Sequence, residues 1–244
     1  MNMHDKLKRR KVRMSELVFQ RGDIVAFSEK NKQTIAVNIQ NGAGNRFAPT
    51  IIVAEIELIP KSKTITSDIL FALDQYPKEN VKMVVNLGKI KTIDKKRVNQ
   101  IIGQIPKSIQ KAFDAKLEET FRFDEDEQGQ VVFVDLGKEA IGSEQGGERP
   151  AIVLKSFTNE EETYYLVALM TSKMSKRAIP THVMYEEGEA GIAKPSLALF
   201  EQLKYVKRKD VINYYEYTPL KKLPNIKQAF NISLGLTGKV KSGA

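Results

Sequence analysis

Residues 142–150 read GSEQGGERP and run directly into the apolar segment AIVL. Three glycines and several polar or charged residues make the stretch too polar for a core strand and too rich in glycine for a helix. It is a loop that delivers one arginine, Arg149, to the mouth of a buried strand. A guanidinium is planar, permanently protonated and able to form bidentate hydrogen bonds to phosphoryl oxygens. The chemistry open to it is therefore stabilisation of negative charge. The competing expectation is a mobile hairpin tip with no chemistry.

Other chemistries lack residues. The chain has no cysteine, which removes thiol nucleophiles, thiolate metal sites and a disulfide framework. Its two histidines are His4 and His182. His4 lies in a basic tail, and His182, in the segment IPTHV, reads first as a structural residue and second as an RNA contact. No carboxylate or histidine spacing suggests a metal cluster, so neither metal nor cofactor is expected.

The 244 residues are 41% hydrophobic and 28% charged, an ordinary soluble globular composition with room for one large domain or two small ones. No apolar run approaches the roughly 20 residues of a membrane helix, and the N-terminus has no apolar signal core. A cytoplasmic protein without membrane contact is the expectation. The net charge of +9 suggests a polyanionic partner, but +5 of it sits in residues 1–13, so a solvated basic tail explains much of it.

The elements that must position Arg149 are written twice. RGDIVAF (21–27) and QGQVVFV (128–134) are both turn glycines followed by β-prone runs, with Gly22 and Gly129 separated by 107 positions. TIAVNI (34–39) matches RPAIVL (149–154), IIVAEIE (51–57) matches YLVALMT (165–171), LGKIKTIDKKRV (87–98) matches FEQLKYVKRKDV (200–211), and IPKSIQKAF (105–113) matches LPNIKQAF (223–230), at separations of 113 to 117. Five blocks in one order at a near-constant offset predict two homologous lobes. The boundaries read as a basic tail (1–20), a first lobe (21–120), an acidic linker (121–128), a second lobe (129–236) and a C-terminal tail (237–244). The step from 107 to 115 places eight extra residues between the first two strands of the second lobe, and these hold the GSEQGGER loop. Alternating apolar residues in IIVAEIELI and YYLVALMTS predict half-buried strands. KKRVNQIIGQIP, SIQKAFDAKLEETF with Pro106 at its start, and LPNIKQAFNISLGL predict helices. The expected class is α+β, with curved antiparallel sheets closed by terminal helices.

VVFVDLGKEAIGSEQGGERPAIVL (131–154) resembles the opening of the MazF/PemK toxins. ALMTSK (168–173), IPTHV (179–183) and LALFEQLKYVKRKDV (197–211) fall where that family has its later motifs. In the first lobe NIQNGAGNRFAPTIIVAEI (38–56) and KIKTIDKKRV (89–98) resemble family segments, so the likeness spans about 21–236. It implies small SH3-like barrels of the CcdB/MazF type acting as homodimers, metal-free cleavage of single-stranded RNA, and inhibition by a small antitoxin protein. Two lobes in one chain would form an intramolecular pseudo-dimer; further self-association is left open.

The resemblance assigns catalysis to Arg149 and Thr171. Attack of a ribose 2′-OH on the adjacent phosphorus builds a dianion-like phosphorane, and a guanidinium contact to it is worth about 3–4 kcal/mol. The threonine hydroxyl can donate to a phosphoryl oxygen or orient the 2′-OH. Ser143, Glu144 and Gln145 are expected to contact phosphate or base edges, with Glu144 also a candidate general base. Gly142, Gly146 and Gly147 would let the backbone approach RNA. The first lobe departs from the pattern: Thr34 and Ile35 replace arginine and proline, and Glu57 stands in the threonine's place, so this lobe is expected to be inactive. It would supply part of the RNA groove through Asn41, Asn45 and Arg46, for which the second lobe has only SFTNEEETYY (156–165). A single active site in the second lobe is thus predicted, leaving 2′,3′-cyclic phosphate and 5′-OH ends. The alternatives are a non-catalytic RNA- or antitoxin-binding descendant and, further off, a gyrase-directed CcdB-like toxin.

Overall fold

The computed structural model describes residues 17–29, 32–65, 69–73, 80–122, 129–137, 140–158, 162–174 and 179–236. The basic tail up to residue 16, the acidic segment 123–128 and the end from 237 lie outside them. The first copy contributes β1 (Asp23–Glu29), β2 (Lys32–Asn38), α1 (Gly42–Phe47), β3 (Thr50–Pro60), β4 (Leu70–Ala72), β5 (Val81–Asp94), β6 (Val98–Gln104) and α2 (Lys107–Thr120). The second contributes β7 (Gln130–Asp135), β8 (Glu148–Thr158), β9 (Thr163–Thr171), β10 (His182–Tyr185), β11 (Ser196–Lys207), β12 (Val211–Tyr217) and α3 (Leu223–Ser233). No described helix is long and apolar enough to cross a membrane.

The strands form one antiparallel sheet in the order β12-β7-β8-β9-β11-β5-β3-β2-β1-β6, with β10 on β11 and β4 on β5. The order reads the same from either end once each strand is exchanged for its counterpart in the other copy. At its centre β11 meets β5 through the pair Lys204↔Lys91, two positions that the repeat makes equivalent. The junction therefore lies on the approximate two-fold axis, as an isologous contact requires. The two copies are thus continuous through backbone pairing. Thr92 reinforces the junction: its hydroxyl donates to the carbonyl of Glu201 at 3.0 Å and accepts from the Leu203 amide at 2.9 Å.

Local details repeat as well. Gly22 and Gly129 both adopt positive φ, +89° and +92°, which glycine tolerates at no steric cost. Each accepts, at 2.8 Å, the amide that follows the last strand of its copy, from Ile105 and Thr218.

Two expectations fail at this level. KKRVNQIIGQIP is not a helix; a short 3₁₀ turn at Lys95–Arg97 leads into β6, which pairs with β1. And β3 and β9 are buried on both faces instead of one. Ile52 and Ala54, with Leu166, Ala168 and Met170, enter a large core shared by both copies, while Ile51 and Val53, and Val167 and Leu169, enter separate smaller cores within each copy. The period-2 pattern of a strand sends neighbours to opposite faces, so two cores produce runs of consecutive apolar residues. Phe121, beyond the end of α2, and Phe230 of α3 meet edge to face at 6.0 Å in the shared core.

Candidate active site

Arg149 is the second residue of β8 and pairs with Val134 of β7. The β8–β9 ladder includes Ala151↔Leu169. Continued by two residues, that register sets Arg149 opposite Thr171, and facing residues of an antiparallel pair share one side of the sheet. In the first copy the equivalent pair is Ala36↔Glu55, and the same step sets Thr34 opposite Glu57. The replacements read from the sequence thus fall on matching structural positions.

The loop before Arg149 folds back on itself and on the other copy. Gly147 (φ +70°) donates to the carbonyl of Gly137 at 2.7 Å and closes its base. The Arg149 guanidinium donates to Gln145 Oε1 and to the carbonyl of Gly146, while its Nε is buried without a partner. Burial lowers its pKa, though an arginine stays charged in a protein. The loop tip is gripped by the first copy. The Ser143 amide donates to Asp94 Oδ2 at 2.8 Å, and Glu144 Oε1 accepts from the Asp94 amide at 2.9 Å and from Arg97 Nη1 at 2.8 Å. The Arg97 and Glu144 side chains keep 10% and 11% of their exposure. Gly142 (φ +61°) is required here, because a Cβ would collide with the Asp94 carboxylate.

These contacts give several predicted site residues other employment. Glu144 is an interlobe ion-pair partner, which leaves it poorly placed as a free general base. Gln145 holds Arg149. Asn45 is buried, its amide donating to the Gln40 carbonyl and accepting from Asn38, both at 2.9 Å, so it is held within the first copy. Asn41 caps α1, accepting from Gly44 at 2.6 Å, and donates to the Ile232 carbonyl of the second copy at 2.7 Å. Only Ser143 and Arg46 of the expected RNA-facing side chains are exposed.

A cleft of about 680 Å³ opens between the copies beside this loop, with Asn41, Gly44, Phe47 and Thr50 on one side and Ser143, Gln145, Lys173, Thr181, His182 and Glu201 on the other. Glu201 escaped the sequence reading. Its carboxylate holds His182 Nε2 at 2.9 Å and accepts from Thr181 Oγ1 at 3.1 Å, and His182 Nδ1 is buried and unpartnered. The only signal for it was its place in the segment FEQLK. Lys173 also lines the cleft, and its amide donates to Thr171 Oγ1 at 3.2 Å. Among the described residues no three histidine, aspartate or glutamate side chains converge as metal ligands would.

The two-fold operation carries this cleft onto a second one of about 730 Å³, lined by Glu29, Glu55, Lys89, Lys91, Tyr164 and Lys204 among others. Its charges are largely paired. Lys91 binds Glu55 and, at 2.7 Å, Glu29. Glu57 binds Lys89 at 2.7 Å and accepts from Asn86 at 2.9 Å. Burial pushes the Glu57 carboxyl up, but the bonds from Lys89 and Asn86 together outweigh it and hold the pKa below the usual range. Lys204, the counterpart of Lys91, has no ion-pair partner among the described residues, since Leu169 stands where the first copy has Glu55. Burial foremost, and the charges of Lys91 and Arg149, depress its pKa. The charges of Glu144 and Glu29 act in the opposite direction.

The family model for the PemK-like, MazF-like toxin of type II toxin-antitoxin systems matches this chain twice, over residues 19–121 and 127–234. The chain belongs to the PemK/MazF toxin family, as a tandem duplication. An endoribonuclease MazF from Staphylococcus saprophyticus is 35% identical over 109 residues, covering 44% of this chain and 90% of that protein. Among solved structures, the Mycobacterium tuberculosis toxin MazF-mt6 is similar at 19% identity, covering 45% of this chain and 99% of its own, with a TM-score of 0.35. A mycobacterial endoribonuclease in complex with its cognate antitoxin is similar at 18%, covering 46% and 96%, also at 0.35. Scores this low add nothing to the assignment.

Proposed function

We propose that this chain is the toxin of a type II toxin-antitoxin pair and an endoribonuclease with one active site, in the second copy. Single-stranded RNA lies in the cleft between the copies. The ribose 2′-OH attacks the adjacent phosphorus, the bond to the 5′-oxygen breaks, and the products are a 2′,3′-cyclic phosphate and a 5′-OH. Arg149 meets the negative charge of the phosphorane, and Thr171 donates to a phosphoryl oxygen or orients the 2′-OH. What supports this reading is the register of β8 and β9, whose terminal pair Ala151↔Leu169, counted on by two residues, matches Arg149 with Thr171, as Ala36↔Glu55 matches Thr34 with Glu57 in the other copy. Arg149 must exchange its bonds to Gln145 and Gly146 for bonds to phosphate, so RNA entry includes a local opening of the loop. The natural inhibitor is a small antitoxin protein, and the setting is the cytoplasm.

Sequencing of 5′-OH RNA ends after incubation with EDTA-treated protein tests the proposal. Wild type is expected to cut a varied single-stranded RNA pool, and Arg149→Ala to lose about 10²–10³ in rate with its melting temperature unchanged. An uncut pool would instead favour the non-catalytic descendant, a reading that the internal bonding of Arg149 supports.

A further inference from the structure

α1 divides its side chains between two basins. Gly44 and Phe47, three apart on the helix, line the interlobe cleft. Asn45 and Arg46 line a separate pocket of about 460 Å³, together with Phe19, Lys95 and Lys96. This pocket holds three cations and no carboxylate, and none of the three has an ion-pair partner among the described residues. Two other partly buried lysines, by contrast, are paired: Lys91 with Glu29 at 2.7 Å, and Lys222 with Glu189 at 2.5 Å. Lys95 instead donates to the Asn45 carbonyl at 2.6 Å and lies 5.6 Å from the centre of the Phe19 ring. Its burial, uncompensated by any anion, lowers its pKa. Phe47, which lines the cleft, is 76% exposed, and the Arg46 guanidinium stands over its ring at 5.2 Å.

Exposed aromatic faces beside unpaired cations are what single-stranded nucleic acid needs: bases stack and phosphates are neutralised. Leu17 and the exposed Val18 complete the pocket's lining. The pocket is also mechanically joined to the catalytic loop, because Lys95 and Lys96 belong to the same turn as Asp94 and Arg97. We propose that α1 and this turn form a platform that continues the cleft for RNA, with one base stacked on Phe47 at the cleft and the following backbone phosphates held beyond it by Arg46, Lys95 and Lys96. The platform rests on the reading that the cleft takes RNA, and it lengthens the footprint beyond the scissile nucleotide.

The test uses 2′-O-methyl RNA, which lacks the attacking hydroxyl, as a long single strand and as a trinucleotide confined to the cleft. Fluorescence anisotropy across a salt series compares wild type with Arg46→Ser/Lys96→Ser and with Phe47→Ser, all exposed positions whose change spares the fold. The charge variant is expected to bind the long strand about tenfold more weakly, with a salt slope smaller by about 1.4 for two lost phosphate contacts, and to bind the trinucleotide as wild type does. Phe47→Ser is expected to lose affinity for the long strand without changing the slope. Equal effects of the charge variant on both ligands, or none on either, overturn the platform while leaving the cleft intact. Failure of wild type to bind any RNA overturns the function and the platform together. If the charge variant loses affinity for polyglutamate but keeps it for RNA, the surface is for an acidic protein and the proposal falls.

Discussion

The grip of the first copy on the catalytic loop makes a quantitative prediction about Arg97 and Glu144. Their charged groups approach to 2.8 Å with little exposure on either side. For charge centres about 4 Å apart at an effective dielectric of ~20, the attraction is about 4 kcal/mol. Desolvation of both groups offsets part of this, and breaking such a pair by removing one partner is itself costly. We expect a coupling of about 2–3 kcal/mol in a double-mutant cycle of Arg97→Ala and Glu144→Ala, measured by urea unfolding. Because the pair pins the loop tip, the same energy should raise the loop-opening equilibrium by about 30- to 140-fold, at 1.4 kcal/mol per factor of ten. Amide hydrogen exchange over residues 142–147 reads that opening, and RNA cleavage reads its consequence for Arg149. A coupling below about 0.5 kcal/mol, or exchange in the loop unchanged by either substitution, would refute the claim that the degenerate copy holds the catalytic loop.

Gly142→Ala should displace the loop from Asp94, since the added methyl meets its carboxylate in a backbone conformation that L-residues avoid; cleavage should fall at least tenfold (about 1.4 kcal/mol) with little change in global melting. The ion pair of Glu57 with Lys89 should make stability fall with acid. The folded pKa of Glu57 is depressed, so its contribution is complete above the ordinary value of 4.5 and is lost as pH falls below that and through the folded value. Glu57→Gln should flatten this part of the stability profile, as seen in melts at several pH values.

Much of the candidate site was legible in the sequence because it depends on register. Once the repeat offsets were fixed, Thr34 stood as the counterpart of Arg149 and Glu57 as that of Thr171, and the pairs Ala151↔Leu169 and Ala36↔Glu55 occupy matching places in the two copies. The helices α2 and α3 were also readable, each from a proline near its start and an apolar stripe. β6 was not. Val98, Ile101, Ile102 and Ile105 follow the i, i+3, i+4, i+7 spacing of a helix, yet Val98 and Ile101 pair with Phe27 and Val25, more than 70 positions earlier. A long-range ladder overrode the local pattern, and no window of sequence contains its partner.

By itself, then, the sequence determined that the chain is duplicated, that only one copy keeps an arginine and a threonine at matched positions, and that the glycine-rich loop is confined to that copy. Tertiary structure decided what those residues touch. It turned Glu144 toward Arg97, buried Asn45, brought Glu201 to His182, and left Arg46, Lys95 and Lys96 without a counter-charge among the described residues. The physical reason is that strand register is a local count along the chain, whereas a polar side chain's partner is settled by which distant segments the shared core brings within hydrogen-bonding range.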